Sequence, residues 1–320
     1  MNFDHVVGVD LGGTKILTAL ADMNGAVQAE VKVPSGADEG PEGVIERILG
    51  TVSAVQRQSG AYAGGLRSVS VGVPGQVDIK GGVVHFAPNL RWQNIPLKDI
   101  LENKLQVPVY LENDANAAAL GEHIFGAGCG ARDLVYVTVG TGVGGGIILD
   151  GRIWHGVSGS AGEIGHITVM PDGPLCSCGA RGCLEALASG TAIARAARES
   201  VEAGSGNNIL QAAQGRIENV DARAVAKAAQ GGDREAKTIL AGAARALGIG
   251  ISSLVAIINP QMVVLGGGVM DLKDLLWPVM KREIEERTLK ASREPLKVVA
   301  AALGPRSGVV GALALGLRQF

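Results

Sequence analysis

The chain has 320 residues, including 48 glycines but only four Phe, three Trp and three Tyr. The glycines follow no three-residue period and 47% of the residues are hydrophobic, which excludes a collagen-like or disordered chain. The formal net charge is −2 with no basic stripe, so we expect no binding to nucleic acid.

The N-terminal segment has no Lys or Arg ahead of its first apolar strand, so we expect no signal peptide. Four cysteines without a secretory signal favour a reducing compartment, and we expect a cytoplasmic protein. The uncharged run over residues 246–270 is long enough to span a membrane. Because Asn259-Pro260 interrupts this run, we predict a buried helix followed by a short buried strand over 262–265, and no membrane partner.

The first half of the chain predicts a mixed sheet covered by helices. Three strands over residues 5–33 are joined by Gly12-Gly13 and by Asn24-Gly25, and the second pair is a strong hairpin signal. The pattern then predicts a helix over 42–58, a strand over 68–73, a helix over 97–104, a strand over 107–113 and a helix that begins at Asp114.

The second half repeats this beginning. Residues 134–149 again give a strand, a glycine turn and a strand. Helices are predicted over 186–199, 221–230, 233–258, 273–287 and 307–318, with a further strand over 297–303. Two halves that begin alike indicate a duplicated α/β architecture. We predict a small lobe over 1–116, on which the C-terminal helix 305–320 packs, and a large lobe over 117–304.

Three glycine turns predict contacts with phosphate, because backbone N–H groups converge there without a Cβ in the way. The residues are Asp10, Gly12, Gly13, Thr14 and Lys15; then Gly140, Thr141 and Gly142; and last Gly266, Gly267 and Gly268. Asp10 is a candidate ligand for Mg²⁺. A single such turn is usually only a hairpin, but three of them favour a nucleotide. Residues 140–145 also match the dinucleotide fingerprint, but a strand follows where that motif requires a helix, so a dehydrogenase is disfavoured.

A cluster of one histidine and three cysteines predicts structural zinc. It consists of His166, Cys176, Cys178 and Cys183. One imidazole and three thiolates meet the tetrahedral preference of Zn²⁺ and leave no open position for catalysis. The alternatives are a Cys178–Cys183 disulfide or free thiols, and Cys129 is expected to be a free thiol.

Four polar residues are candidates for a binding site. Asn113 and Asp114 follow a strand and begin a helix, where capping alone explains either residue, yet strand ends in open α/β sheets also form sites. Glu163 precedes His166 by three residues and Glu185 follows Cys183 by two. Each glutamate alone reads as a solvated surface residue, whereas a metal loop that carries both would hold them rigidly against sugar hydroxyls.

These motifs together resemble the ROK family of sugar kinases over essentially the whole chain. The matching segments are D-L-G-G-T-K at 10–15, V-P-G at 73–75, E-N-D-A-N at 112–116, G-T-G-V-G-G-G at 140–146, G-E-I-G-H at 162–166, C-x-C-G-x-x-G-C-L-E at 176–185 and L-G-G-G at 265–268. The resemblance implies an actin-like (ribonuclease H-like) duplicated fold with two lobes and a central cleft, and a homodimer or homotetramer.

The resemblance also implies residue roles. Asp114 matches the catalytic base, and the zinc ligands match His166 and the three cysteines. The sugar contacts match Asn113, Asp114, Glu163, His166 and Glu185, with Gly75 and Asn89 as weaker candidates. The three glycine turns match the ATP site, with Mg²⁺ bound alongside ATP.

The expected function is phosphorylation of glucose at its 6-hydroxyl with MgATP. An N-acetylmannosamine, N-acetylglucosamine or broad-specificity hexose kinase would use the same residues and remains an alternative. A non-catalytic sugar sensor is the alternative from another class, although a sensor has no need of three phosphate turns. Some family members are repressors with an N-terminal helix-turn-helix; because the first strand begins near residue 5, we expect none ahead of it.

Overall fold

The computed structural model describes residues 5–60 and 65–319. The ends of the predicted lobes at residues 1–4 and 320 therefore lie outside the described residues. The chain forms two compact units. Unit 1 comprises Met1–Tyr136, Gly146–Gly162 and Ala301–Phe320, and unit 2 comprises Val137–Gly145 and Glu163–Ala300.

The strands and helices follow each other in mixed order along the chain. The strands are β1 (His5–Leu11), β2 (Lys15–Asp22), β3 (Val27–Pro34), β4 (Leu66–Val73), β5 (Gln76–Asp78), β6 (Val83–Ala87), β7 (Trp92–Ile95), β8 (Val109–Asn113), β9 (Leu134–Val139), β10 (Val143–Leu149), β11 (Arg152–Ile153), β12 (Met262–Gly266) and β13 (Lys297–Ala300). The helices are α1 (Gly40–Ser59), α2 (Leu97–Leu105), α3 (Asp114–Phe125), α4 (Leu184–Ala188), α5 (Gly190–Glu202), α6 (Asn207–Ala212), α7 (Ala222–Gln230), α8 (Arg234–Ile258), α9 (Lys273–Arg287), α10 (Lys290–Arg293) and α11 (Ser307–Leu317).

Unit 1 is built on a five-stranded sheet in the order β3-β2-β1-β4-β8. The first two strand pairs are antiparallel, as the two predicted hairpins require, and β1, β4 and β8 run parallel. One face of the sheet is covered by α1, which buries Val44, Ile48 and Val52 in the core it shares with β1 and β4. Because β1, β4 and β8 run parallel, their carboxyl ends lie at the same edge of the sheet.

The other face of this sheet packs against α11, and glycines make the close approach possible. A Cβ on Gly8 of β1 would lie 2.7 Å from the backbone of Leu313, and one on Gly121 of α3 would lie 2.6 Å from the Ser307 carbonyl. A Cβ on Gly311 would overlap the Ala117 carbonyl. Some of the 48 glycines therefore serve helix packing, where a side chain would force the backbones apart.

A small sheet of β5, β6 and β7 was not expected from the sequence. The sequence predicts only a loop with Pro88 and Asn89 between the strand over 68–73 and the helix over 97–104, whereas the structure has three strands of three to five residues there. Short strands carry too few alternating positions to be recognised. Their pairing is a tertiary outcome, with Val84 and Trp92 buried in the core of unit 1.

The second sheet has the order β11-β10-β9-β12-β13 and repeats the first one. In both sheets an antiparallel pair lies at one end, β2 with β3 or β10 with β11, and a parallel pair at the other, β4 with β8 or β12 with β13. This confirms the predicted duplicated α/β architecture. Strand β13 ends at Ala300 rather than at residue 303.

The helices of unit 2 differ from the prediction in detail. Residues 186–199 were expected to form one helix, but α4 ends at Ala188 and Ser189 caps α5 by accepting a hydrogen bond from the Ala192 N–H at 3.0 Å. Serine is a favoured N-cap because its hydroxyl satisfies a free helical N–H. The short helices α6 and α10 were not predicted.

The long helix α8 meets the length and hydropathy criteria for a membrane span. However, 56% of its most apolar window is buried inside the protein, and α9 packs along it. Asn259 then ends the helix in a left-handed conformation with a φ of 50°, and β12 follows. The structure thus has the buried helix and strand that the sequence predicts.

The compact units and the predicted lobes differ in where they divide. The first continuous stretch of unit 1 runs to Tyr136 rather than to residue 116, and it includes all of α3. The reason is the packing of α3 against α11, described above. The lobe assignment itself stays a prediction.

Candidate functional site

The junction of β8 and α3 holds Asn113 and Asp114 at the edge where the parallel strands end. Asn113 caps α3, since its Oδ1 accepts hydrogen bonds from the N–H groups of Ala115 at 2.9 Å and Asn116 at 3.2 Å. Its Nδ2 donates to the Gly75 carbonyl at 3.2 Å. Capping and a second, long-range contact therefore coexist in one side chain.

Gly75 provides this contact from a turn that only glycine adopts readily. Its φ is 92°, a conformation that favours glycine, and a Cβ there would overlap the Phe86 carbonyl. Gly75 thus connects β4 to the small sheet and reaches Asn113. The structure brings these two predicted sugar-contact residues together.

Asp114 is the first residue of α3 and is half-buried. Its Oδ1 accepts a hydrogen bond from the Ala115 N–H at 2.8 Å. A carboxylate at a helix N-terminus is stabilised by the helix dipole. The hydrogen bond to Oδ1 therefore orients the carboxylate, and the residue remains partly open to solvent, as a group that accepts a proton from a substrate requires.

The first glycine turn is a tight connection between β1 and β2. The Gly12 N–H donates to the Lys15 carbonyl at 2.9 Å. A Cβ on Gly13 would lie 2.9 Å from the Cβ of Asn89, so this turn and the predicted contact residue Asn89 touch. Ser35 adds a bond that the sequence did not reveal, as its hydroxyl donates to the Gly13 carbonyl at 2.7 Å.

Asp10, the last residue but one of β1, lies against the first turn of α11. A Cβ on Gly308 would lie 2.7 Å from the carboxyl carbon of Asp10, so only glycine leaves room for this side chain. Burial raises the pKa of Asp10, and the charge of Lys15 partly lowers it. A bound cation would favour the ionised carboxylate, which suits the predicted role of Asp10.

The second and third glycine turns lie next to each other in unit 2. The start of α5 holds the second turn: the Gly190 N–H donates to the Gly140 carbonyl at 2.8 Å, and the Thr191 hydroxyl donates to the Thr141 carbonyl at 2.8 Å. In the third turn, Gly267 has a φ of 87° and a Cβ there would overlap the Val139 backbone. Both turns therefore border the end of β9.

The four predicted metal ligands converge in unit 2. The ligand atoms of His166, Cys176, Cys178 and Cys183 all lie within 4.8 Å of one another. Zn–S bonds of about 2.3 Å place two sulfurs of a tetrahedral site about 3.8 Å apart. The Cys178 and Cys183 sulfurs are 3.7 Å apart, which fits zinc ligation and is far too long for the alternative disulfide.

The electrostatics of the cluster also fit a bound cation. Burial, with the neighbouring thiols, raises the pKa of the Cys183 thiol to about 12. A buried thiolate of this kind needs a positive charge beside it. Glycines also shape the loop that carries the cysteines, residues 176–183, which we call the cysteine knuckle. Within it, Gly182 has a φ of 69° and lies against the Met170 backbone.

His166 links the cysteine cluster to Glu163. Its Nδ1 lies 3.7 Å from the Cys176 sulfur, while its Nε2 lies 4.0 Å from the Glu163 carboxylate. One nitrogen thus faces the metal ligands and the other faces a predicted sugar contact. A ligating histidine commonly uses its second nitrogen in this way.

Glu185 points toward the second glycine turn. Its Oε2 accepts a hydrogen bond from the Val143 N–H at 2.9 Å, and a Cβ on Gly142 would collide with the same oxygen. Gly165 packs onto the Val143 backbone from the segment that carries Glu163 and His166. Sequence reasoning gave Gly142 only a role in binding phosphate and did not reveal that this glycine makes space for Glu185.

Within each unit, then, the predicted residues cluster. Unit 1 gathers the first glycine turn, Asn89, Gly75, Asn113 and Asp114, and unit 2 gathers the other two turns, the cysteine cluster and both glutamates. Cys129 is exposed and outside the cluster. The supporting residues Ser35, Gly190 and Thr191 carry no motif of their own, and their spacing from the turns gives no local signal.

Comparison with known proteins agrees with the fold and the motifs. The ROK family model matches residues 6–319. The chain is 37% identical to the glucokinase of Thermotoga maritima over 97% of this chain and 96% of that protein. It is also 33% identical to the xylose repressor of Caldicellulosiruptor bescii over 97% of this chain and 77% of the repressor.

A solved structure is similarly close. The ROK family glucokinase of Streptomyces griseus, crystallised with glucose and AMPPNP, superposes with a TM-score of 0.83 at 37% identity and covers 99% of this chain and 100% of that one. With this similarity, the duplicated sheets are those of the actin-like fold. The chain belongs to the ROK family.

Proposed function

We propose that this protein is a glucokinase, which transfers the γ-phosphoryl group of MgATP to the 6-hydroxyl of glucose. The observation that carries the proposal is the β8–α3 junction. There Asn113 is tied to Gly75 and to the first turn of α3, and Asp114 follows it directly. A carboxylate held in one orientation beside a hydrogen-bonding amide can take a proton from a hydroxyl bound next to it.

In this proposal Asp114 accepts the proton of the 6-hydroxyl as its oxygen attacks the γ-phosphorus. Asn113, Glu163, His166 and Glu185 bind the sugar hydroxyls, and Gly75 and Asn89 are weaker candidates for such contacts. Phosphoryl transfer passes through a loose transition state, so positioning supplies most of the acceleration. A modest base is sufficient under these conditions.

The glycine turns bind ATP in the same proposal. The residues are Asp10 and Gly12 to Lys15, then Gly140 to Gly142 and Gly266 to Gly268. Asp10 holds Mg²⁺, which neutralises phosphate charge when bound. Support comes from the S. griseus relative, which was crystallised with AMPPNP.

We also assign a structural Zn²⁺ to His166, Cys176, Cys178 and Cys183. These four residues would hold the ion and thereby fix the loop that carries Glu163 and Glu185, and as a full set of four ligands they suit a structural role and not a catalytic one. Cysteines that form no disulfide suit a reducing compartment, so we also propose a cytoplasmic location. We also propose a small lobe over 1–116 and a large lobe over 117–304. The proposed assembly is a homodimer or homotetramer, and sedimentation would test it.

A coupled ADP-release assay tests the function. The acceptors are glucose, mannose, fructose, N-acetylmannosamine and N-acetylglucosamine, and the donors are ATP, GTP and polyphosphate. We expect the highest kcat/KM with glucose and ATP. Preference for an N-acetylhexosamine, or for several hexoses alike, would replace glucose with the corresponding alternative.

A sugar sensor is the second candidate, favoured by the 33% identity to a xylose repressor. Sugar binding without turnover for any acceptor would support the sensor and overturn the kinase.

A further inference from the structure

A buried carboxylate precedes the proposed active-site junction. Glu112, the fourth residue of β8, is 1% exposed. Its Oε1 accepts hydrogen bonds from the Asn113 N–H at 2.9 Å and from Asn116 Nδ2 at 3.1 Å. Its Oε2 accepts one from His155 Nε2 at 2.8 Å. A buried charge must be paired and hydrogen-bonded, and both oxygens of Glu112 are.

Two of these three donors lie on either side of Asp114. Asn113 is the residue before it, and Asn116 lies in the first turn of α3 and is 2% exposed. Glu112 therefore ties the end of β8 to the start of α3, across the residue proposed to accept the proton. A displacement of about 1 Å in a catalytic group can cost about 100-fold in rate.

The third donor, His155, follows β11 in the chain. Its side chain is 35% exposed, so it reaches from the surface to the buried carboxylate. The hydrogen bond to Glu112 raises the pKa of His155, against the effect of burial. With a proton on Nε2, His155 donates the third hydrogen bond to Glu112, and the raised pKa of His155 favours the charged form that pairs with the carboxylate.

We propose that Glu112, paired with His155, is a positioning residue that orients Asn113 and Asp114 for phosphoryl transfer. This rests on the proposed function, because the orientation matters only if Asp114 takes a proton from the sugar. Glu112 itself acts through its neighbours and not on substrate.

E112Q is the main test, since glutamine keeps the size but cannot accept all three hydrogen bonds. We expect kcat to fall about 10- to 100-fold, with KM for MgATP changed less than threefold. H155Q should lower kcat in the same direction but less, because its amide can still donate. H155Q also serves if E112Q fails to fold, since its side chain is partly exposed.

E122Q is the matched control, at the other end of α3. Glu122 is fully buried and accepts four hydrogen bonds, from the N–H groups of Ala127, Ala302 and Leu303 and from the Ser307 hydroxyl. We expect E122Q to lower Tm while kcat, assayed well below Tm, stays within threefold. If E122Q lowers kcat as much as E112Q, the effect is a general loss of stability and the positioning role is overturned.

A proton NMR titration supplies a readout independent of activity. The five histidine resonances are compared with those of H155Q to identify His155. Its pKa should be lower in E112Q than in the wild-type protein, and an unchanged pKa would overturn the pairing.

The outcomes separate the two proposals. If the wild-type protein phosphorylates glucose and E112Q matches its kcat, the positioning role alone is wrong. If the wild-type protein phosphorylates no hexose, the proposed function is wrong and the positioning role falls with it, whatever the titration shows.

Discussion

Glu185 and Val143 are joined by a hydrogen bond of 2.9 Å between the glutamate Oε2 and the backbone N–H. This bond ties α4, which follows the cysteine knuckle, to the second glycine turn. It also explains Gly142, where a Cβ would collide with the same carboxylate oxygen.

Gly142→Ala should therefore displace Glu185 and raise KM for glucose. The displaced Glu185 would lose its proposed hydrogen bond to a glucose hydroxyl. Loss of a hydrogen bond to a charged group costs about 1.5–3 kcal/mol, which corresponds to roughly 10- to 100-fold in affinity. Steady-state kinetics measure the change. Gly242→Ala in α8 is the control, since nothing lies within 4 Å of its added methyl group. Equal KM values in both variants would refute the steric role of Gly142.

Asp114→Asn should abolish turnover and largely keep glucose binding. The amide is nearly isosteric and still accepts from Ala115, but it cannot take a proton. General-base catalysis contributes about 10²–10⁴-fold, so kcat should fall by at least about 100-fold. Kinetics and glucose titration calorimetry measure the two effects. Activity above a tenth of the wild-type value would mean that another group is the base.

Cys176→Ser should remove zinc and weaken glucose binding. The Cys176 sulfur lies 3.7 Å from His166, whose other nitrogen faces Glu163, so loss of a bound ion would free the loop that carries the proposed sugar contacts. The zinc content, measured by metal analysis, should fall from about one ion per chain. The KM for glucose should rise about tenfold. Cys129→Ser, at an exposed thiol outside the cluster, should change neither value. An unchanged KM in the zinc-depleted protein would break the link between knuckle and sugar site.

Gly308→Ala should displace Asp10, because the new methyl group meets the Asp10 carboxylate. The Mg²⁺ concentration needed for half-maximal activity should then rise about tenfold or more. Binding of MgATP measured by calorimetry should weaken in parallel. Gly50→Ala in α1 has open space around it and should instead stabilise the fold by about 0.5–1 kcal/mol. Normal Mg²⁺ dependence in Gly308→Ala would show that Asp10 is not held by this contact.

Glu283 should stabilise the protein above mildly acidic pH. Hydrogen bonds from Arg287 at 2.9 Å and Arg245 at 3.0 Å lower the pKa of this buried carboxyl. A group whose pKa is lower in the folded state contributes stability above its unfolded pKa of about 4.3 and loses it as the pH falls through the folded value.

Glu283→Gln should accordingly lower the free energy of unfolding at pH 7, and its difference from the wild-type protein should shrink below about pH 4. Urea titrations at several pH values measure this. Glu285→Gln removes an exposed ion pair with Lys281 at 3.8 Å and should have little effect. A Glu283→Gln difference that is constant with pH would rule out the charge as its cause.

Much of the fold and several candidate site residues are predictable because their signals are local. A cysteine spacing of C-x-C-x₄-C with a nearby histidine indicates a tetrahedral site before any folding is considered, and the four ligands do converge. Glycine turns between apolar runs likewise indicate the strands they join, and the repeated strand-turn-strand pattern indicates the duplication. Asn113 and Asp114 are recognisable from their place between a strand and a helix.

The roles of the individual glycines, in contrast, depend on the tertiary structure. The sequence by itself determined that glycine is in excess, but not which glycines serve turns and which serve packing. The tertiary structure decided that Gly8 and Gly311 admit α11 to the sheet and to α3, that Gly142 makes room for Glu185, and that Gly308 makes room for Asp10. In each case the contacting residue is distant in the chain, and no local pattern encodes which backbone will approach. The pairing of Glu112 with His155, 43 residues apart, is of the same kind.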